Sequence, residues 1–123
     1  MSKYHNTKTQ IDRYVFDSVK EGKRYRELKL LENAGEITDL QLQPRFLLQD
    51  KFRKNGKAFR KIEYVADFMY KENGKTIVED VKGMKTDVFK LKQKLFEYKY
   101  KDLELKIIWV IVKTVVDILF VTR

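Results

Sequence analysis

The sequence of 123 residues contains no cysteine, one histidine and one proline. Without cysteine the chain forms neither disulfides nor thiolate metal sites, and a reducing compartment suits it. The single histidine, His5, excludes zinc centres and nuclease sites that need several imidazole ligands.

Long apolar runs are also lacking. The most apolar stretch, 107–121, is interrupted by Lys113 and Asp117 and is too short to span a bilayer. The N-terminus is polar and lacks the apolar segment of a signal peptide. We therefore expect a cytoplasmic protein that makes no membrane contact.

Basic residues are abundant: 27 Lys and Arg stand against 18 Asp and Glu, for a net charge of +9. Such an excess indicates partners rather than fold, and nucleic acid is the usual partner of a basic protein of this size. The length fits one domain with its own core. We expect a single domain over 1–123, with a basic, loosely packed N-terminal arm at 1–16, a core at 17–112 and a C-terminal extension of unassigned role at 113–123.

Turn and cap signals predict the first helix and two hairpins. Ser18 and Glu21 have the spacing of a capping box, and Ala34-Gly35 ends that helix. Asn55-Gly56 and Asn73-Gly74 predict type I′ turns, which need positive φ at both central positions. The predicted strands cover about 40–54, 57–72 and 75–82, with a break or edge position at Pro44 and a bend near 61–64.

The C-terminal half predicts a helix and a buried strand. Thr86 or Asp87 caps the helix. Its apolar stripe is expected to consist of Val88, Leu91, Leu95 and Tyr98. The apolar run at 105–112 reads as a strand that is buried on both faces, and it is parallel to a neighbour because it follows a helical crossover. The expected fold is α/β, a mixed sheet with the order α-β-β-β-α-β.

The second hairpin brings two acids together. Counting outward from Asn73-Gly74 pairs Asp67 with Asp80, and like charges directly opposite each other destabilise a sheet. Lys82 shares the face of Asp80, whereas Glu79 and Ala66 point to the other face. A cation between the two aspartates would explain the arrangement. The alternative is a surface hairpin in which Asp80 and Lys82 form a weak ion pair.

Hard oxygen ligands of this kind suit Mg²⁺, which takes one or two carboxylates together with water and substrate phosphate. Asp67 and Asp80 are then the metal ligands, and the backbone carbonyl of Val81 is a further candidate. Lys82 could hold the attacking water or stabilise charge on the transition state. The pattern predicts a metal-dependent phosphodiesterase.

These residues resemble a known superfamily. Asp67 lies thirteen residues before Asp80-Val81-Lys82, and a preceding helix carries Glu21. Together with the segment 16–28, this pattern resembles the PD-(D/E)XK nucleases, and within them small phage-encoded endonucleases long catalogued as a domain of unknown function. The resemblance covers about 3–106. The chain departs from the family pattern at Ala66, Gly22 and Arg13, where proline, alanine and glycine are usual.

The resemblance implies a restriction-endonuclease-like core and an endodeoxyribonuclease that uses Mg²⁺ or Mn²⁺ and no small-molecule cofactor. It implies Asp67, Asp80 and Glu21 as metal ligands and Lys82 as the catalytic lysine, although Glu21 could equally serve only as a helix cap. It further implies a homodimer acting on duplex or branched DNA, in recombination, repair or packaging within a phage-infected cell.

Basic side chains on the N-terminal arm, the first hairpin and the second helix are candidate phosphate contacts. They are Lys3, Lys8, Arg13, Lys54, Lys57, Lys85, Lys90, Lys92 and Lys94. Two alternatives to an enzyme remain open at this point. One is a non-catalytic nucleic-acid-binding protein with the same fold, and the other is a phage regulatory protein whose basic surface binds an acidic protein.

Overall fold

The computed structural model describes residues 8–12, 14–16 and 18–109. These form two helices and ten strands. In chain order they are β1 (Thr9–Ile11), β2 (Tyr14–Phe16), α1 (Val19–Asn33), β3 (Thr38–Leu42), β4 (Arg45–Gln49), β5 (Phe52–Lys54), β6 (Lys57–Phe59), β7 (Ile62–Val65), β8 (Phe68–Glu72), β9 (Lys75–Lys82), α2 (Asp87–Lys99) and β10 (Glu104–Trp109).

A four-stranded mixed sheet forms the centre, in the order β10-β9-β8-β3. β3 and β9 both run antiparallel to β8, whereas β10 is parallel to β9 and follows it through α2. The predicted α/β class and the parallel final strand are confirmed. Around this sheet the order is α1, three strands, α2 and one strand, as the sequence predicts.

Helix α1 begins and ends where its local signals place it. The Ser18 hydroxyl accepts a hydrogen bond from the N–H of Glu21, which satisfies one of the free donors of the first turn. Ala34 caps the C-terminus, and Gly35 follows with a φ of +80°, a conformation that glycine adopts without strain. The inner face of α1 packs on one side of the sheet, where Leu28 contacts a cluster that includes Phe68.

The prediction of a loosely packed N-terminal arm is wrong for residues 9–12 and 14–16. β1 and β2 form an antiparallel hairpin against α1, and Phe16 is buried in the first core cluster. Gly22 allows this approach, because a Cβ at that position would lie 2.9 Å from the Cδ1 of Ile11. The Tyr25 hydroxyl donates to Asp12 in the turn, and burial, reinforced by this hydrogen bond, raises the pKa of Tyr25 to about 12.

Helix α2 covers the opposite side of the sheet, but with a different face from the predicted one. Thr86 caps it as expected, with its hydroxyl accepting from the N–H of Phe89. The buried residues are Phe89 and Phe96, which pack with Phe46 and Tyr64. All four residues of the predicted apolar stripe are exposed: Val88, Leu91, Leu95 and Tyr98. The large rings occupy the space between helix and sheet, and the stripe faces outward.

The segment between β3 and β8 leaves the sheet as a two-stranded ribbon. The chain breaks at Pro44, as predicted, and Gln43 before it has a φ of +50°. β4 then pairs with β7, and β5 with β6. One extra residue between Leu47 and Gln49 shifts the register by one, and the new register continues into the Phe52–Phe59 pair. We call this ribbon, 45–65, the arm.

Residues 110–123, which include the end of the predicted last strand and the C-terminal extension, lie outside the described part of the chain. Within residues 8–12, 14–16 and 18–109, neither helix is long and apolar enough to cross a membrane.

Candidate functional site

The register of the second hairpin follows the Asn73-Gly74 turn. Tyr70 pairs with Ile77 and Glu72 with Lys75, as counted from the sequence. The pairing of Asp67 with Asp80 is wrong in detail, because the chain bends at 66–67, before β8 begins. The N–H of Asp67 donates to the carbonyl of Glu79 rather than to Asp80. The same bend places Ala66 in the core between the sheet and α2, with Phe89 and Phe96, and not on the face of Phe68.

Asp67 nevertheless reaches the end of β9 with its side chain. Its Oδ2 accepts the N–H of Val81 at 2.7 Å. Burial, then the negative charges of Asp80 and Glu21, raise the pKa of Asp67 from the ordinary 3.8 to about 9, while the Val81 N–H opposes the rise. Three carboxyl groups from three separate segments therefore act on one another.

Asp80 is 2% exposed on β9, on the side covered by α2. Its Oδ2 accepts a hydrogen bond from the Tyr64 hydroxyl and lies 3.5 Å from the Nζ of Lys82. The Lys82 ammonium also sits 4.4 Å from the centre of the Phe89 ring. Because residues two apart on a strand share a face, the Asp80–Lys82 contact is the one expected from the sequence.

Glu21 enters the same region from the first turn of α1 and is buried. Its charge contributes to the raised pKa of Asp67, after burial and the charge of Asp80, so the helix acid lies within electrostatic range of Asp67. Its N–H binds Ser18, which is half of the predicted capping box. The structure thus brings Asp67, Asp80 and Lys82 together, with Glu21 within electrostatic range of Asp67; Val81 joins them through its N–H, and its carbonyl as a ligand stays a prediction.

The chemistry of this donor set fits a hard divalent cation. Among the described residues, no group of three or more histidine, cysteine or acidic side chains is arranged so that it could hold a metal ion, so Glu21, Asp67 and Asp80 do not form a three-acid site. Mg²⁺ does not need one, because one or two carboxylates with waters suffice. Asp67 and Asp80 supply such carboxylates, and a cation between them would offset the repulsion that, together with burial as the larger cause, raises the pKa of Asp67.

Sequence reasoning missed Tyr64, the partner of Asp80. Burial and the charge of Asp80 raise the pKa of this phenol well above its ordinary range, so it stays a hydrogen-bond donor. No local signal pairs it with Asp80, which is sixteen residues away. The bend at 66–67 is what turns β7 toward β9, so the contact depends on tertiary geometry.

A second buried network lies on the other face of β9. Glu79 is 0% exposed and accepts two hydrogen bonds from Arg24 of α1 and one from the Tyr70 hydroxyl. The sequence prediction that Glu79 points away from Asp80 therefore agrees with the structure. The network ties α1, the helix of Glu21, to β9, the strand of Asp80.

The predicted phosphate contacts are spread over several surfaces. Lys54 and Lys57 flank the turn of the arm and are exposed, as is Lys8 before β1. Lys85, Lys90 and Lys94 are exposed on or before α2, whereas Lys92 is half-buried. Lys3 and Arg13 lie outside the described residues.

Comparison with known proteins yields one family and a loose structural likeness. No curated protein matches the chain. A solved structure described as "Crystal structure of SSO0001" is 17% identical, and the match covers 75% of this chain and 47% of the other, with a TM-score of 0.41. This chain thus spans about half the length of that structure, and a superposition this loose supports no argument.

The family comparison is more extensive. The profile of a family described as "Protein of unknown function (DUF1064)" matches residues 1–115. Because the match extends over nearly the whole sequence, the chain belongs to the DUF1064 family.

Proposed function

We propose that this protein is a divalent-metal-dependent endonuclease of the PD-(D/E)XK type, with a restriction-endonuclease-like core, that hydrolyses phosphodiester bonds of DNA. The observation that carries the proposal is the meeting of two carboxyl groups at the end of β9, where Asp80 is 2% exposed and the Oδ2 of Asp67 accepts the N–H of the next residue, Val81. A lysine stands 3.5 Å from one of them. The net charge of +9 supports a polyanionic substrate.

In this proposal Asp67 and Asp80 hold Mg²⁺ or Mn²⁺, with Glu21 binding it directly or through water. The metal would polarise the phosphate and lower the pKa of a bound water. Other residues of the chain orient the two carboxylates and the phosphate. Tyr64 and Lys82 hold the Asp80 carboxylate, the Val81 N–H holds that of Asp67, and the Lys82 ammonium is placed to stabilise negative charge on the reacting phosphate.

A cleavage panel tests the proposal. Linear duplex, branched DNA, single-stranded DNA and RNA are incubated with the protein and Mg²⁺, Mn²⁺ or EDTA, and products are separated on denaturing gels. We expect metal-dependent cleavage of a DNA substrate that Asp80→Asn abolishes. The matched control is Asp102→Asn, an exposed acid beside Lys75 at the opposite end of β9, which should cleave like the wild type.

The other outcomes separate the alternatives. Binding of DNA without cleavage under either metal would overturn the enzyme and favour a non-catalytic nucleic-acid-binding protein. Absence of both would favour the regulatory protein with an acidic partner. Cleavage that survives Asp80→Asn would point to a contaminating nuclease. The homodimer, the cytoplasm of a phage-infected host and the role in recombination, repair or packaging rest on the resemblance and stay predictions.

A further inference from the structure

The tip of the arm is a projecting basic ribbon. Every residue from 49 to 62 is exposed, so this part of the chain packs on nothing else in the described protein. Eleven residues at the tip, 51–61, hold six lysines and arginines and no acid. Because the tip is exposed, its surface is available to a partner, and a two-stranded hairpin that stands alone is only marginally stable.

The two acids of the arm, Asp50 and Glu63, lie on the base side of the tip. Glu63 pairs with Arg45 and Lys61, at 3.4 and 3.5 Å. Farther out, neither Lys54 nor Lys57 has an acidic partner within the described residues. Positive charge consequently accumulates toward the turn, which is the pattern of a surface that meets a polyanion.

Two aromatic rings share one face with these lysines. Phe52 and Phe59 are paired across the strands and stack with their centroids 4.7 Å apart and a 7° angle between planes. Both remain exposed, at 43% and 38%. Because residues two apart on a strand share a face, Lys54 and Lys57 lie on the same side, and Lys57 reaches to 5.2 Å from the Phe59 ring centre. Cations interleaved with exposed rings are typical of nucleic-acid contacts.

The arm is rooted in the candidate metal site. Tyr64, at its base, donates to Asp80, and Phe46 and Tyr64 anchor the base on Phe96 of α2. From Tyr64 to Phe59 the ribbon spans about 17 Å at about 3.4 Å per residue. The contact between the tip and a bound nucleic acid would therefore lie about half a DNA helical turn from the phosphate at the candidate metal site.

We propose that the tip of the arm enters a groove of double-stranded DNA, with its lysines and arginines on phosphates and the Phe52–Phe59 face against the bases and sugars. This inference rests on the proposed nuclease function and assigns its duplex-binding element. A two-stranded ribbon fits the major groove, which is about 12 Å wide. Charges on both faces of the ribbon, Arg53 on one and Lys54 on the other, match two walls of phosphates, whereas single strands are usually held in a concave groove.

Binding is measured by fluorescence anisotropy with a labelled duplex of about 20 base pairs, in EDTA so that nothing is cut, over a series of KCl concentrations. The full-length variant Lys54→Gln/Lys57→Gln should bind about 10- to 100-fold more weakly near 0.1 M salt. The slope of log K against log salt should fall by about 2, since each phosphate contact contributes about 0.9.

The second Asn-Gly hairpin offers a matched control. Lys71→Gln/Lys75→Gln removes the same charge from exposed positions near the same type of turn, at the end of β9 opposite the candidate site, where each lysine faces an acid, Asp39 or Glu104. It should change affinity by no more than about twofold. If both pairs weaken binding equally, the arm has no special role and the inference fails.

The aromatic face is tested with Phe52→Leu/Phe59→Leu, which keeps apolar volume but removes the rings. Affinity should fall about fivefold or more with an unchanged salt slope, because apolar contact with base edges and sugars involves no counterion release. Tighter binding of the single strand than of the duplex by wild type would overturn the groove assignment, as would failure of the wild type to bind duplex at low salt. Melting curves check that the variants stay folded.

These outcomes are independent of the metal site. Arm-dependent duplex binding in EDTA, together with no cleavage under any metal, would support the arm and overturn the nuclease. Metal-dependent cleavage, together with a duplex affinity that the arm variants leave unchanged, would support the nuclease and overturn the role of the arm.

Discussion

Arg24 of α1 and Glu79 of β9 form a buried ion pair closed by two hydrogen bonds, from Nε at 2.8 Å and from Nη2 at 2.7 Å. The hydrogen bond to Glu79 is the main reason that the pKa of Arg24 lies above its ordinary range, so the guanidinium is charged at every accessible pH. This contact joins the helix that carries Glu21 to the strand that carries Asp80. It lies on the sheet face opposite Asp80.

Removing Arg24 should destabilise the fold strongly. Arg24→Met leaves Glu79 charged and buried, and breaking such a pair costs about 3–5 kcal/mol of unfolding free energy. Arg24→Met/Glu79→Gln should recover at least about 1 kcal/mol of this, because the remaining side chain is neutral and can still accept from Tyr70. Urea denaturation measures both. Arg26→Met, at an exposed position on the same helix, is the control, and an equal effect of the two single variants would contradict the prediction.

Stability without metal should fall as pH rises. Asp67 has a pKa of about 9 when folded against an ordinary 3.8, so between these values the folded state holds a proton that the unfolded state has lost. The unfolding free energy therefore decreases from about pH 4 to about pH 9. Denaturation in EDTA at several pH values checks this, and Asp67→Asn should flatten the dependence. A wild-type profile identical to that of Asp67→Asn would refute the assignment.

Metal binding should show the opposite trend with pH. A cation at Asp67 displaces the proton, so the apparent affinity for Mn²⁺ should rise by up to about tenfold per pH unit until about pH 9. Isothermal titration of the wild-type protein measures it. Affinity that does not change with pH would mean that the cation binds elsewhere.

Two buried tyrosines form a matched pair. Tyr64 donates a hydrogen bond to Asp80, and Tyr70 donates one to Glu79. The two acids are adjacent in sequence but lie on opposite faces of β9. Each Tyr→Phe change should cost about 1–3 kcal/mol without metal, because a buried carboxylate loses a donor. Only Tyr64→Phe should alter the thermal shift that Mn²⁺ produces. A similar change of that shift in Tyr70→Phe would contradict a metal site confined to the Asp80 face.

Gly22 sets helix propensity against crowding. Alanine favours a helix over glycine by up to about 1 kcal/mol, but its Cβ would lie 2.9 Å from the Cδ1 of Ile11. We expect Gly22→Ala to be close to neutral alone and to stabilise the Ile11→Val background by about 0.5–1 kcal/mol, since valine has no Cδ1. Thermal melts of the four proteins complete the cycle. Equal effects in both backgrounds would exclude the steric explanation.

Local signals were sufficient for the parts of the fold that depend on neighbouring residues. The turn at Asn73-Gly74 sets the register of β8 and β9, and Ser18 and Thr86 start the two helices where they were predicted. These features need only backbone conformation and a nearby side-chain acceptor, which the sequence displays directly. The proximity of Asp80 and Lys82 has the same origin.

The buried face of α2 illustrates what local patterns leave open. The helix has apolar side chains on more than one face, and periodicity alone selected the stripe that includes Leu91, which is 60% exposed. Phe96 is fully buried instead because its ring meets Phe46, Tyr64 and Tyr100. That choice depends on which space the sheet and the arm leave to be filled.

The sequence by itself determined the acids and lysine of the candidate site, the turns that bring β8 beside β9, and the charge that suggests a polyanionic partner. Only the tertiary structure decided how they meet. The bend at 66–67 moves Asp67 out of the strand, turns Tyr64 toward Asp80 and directs the arm away from the sheet. The physical reason is that these features depend on burial and on contacts between residues far apart in the chain, which no local pattern encodes. Such contacts raise the pKa of Asp67 and form the Arg24–Glu79 pair.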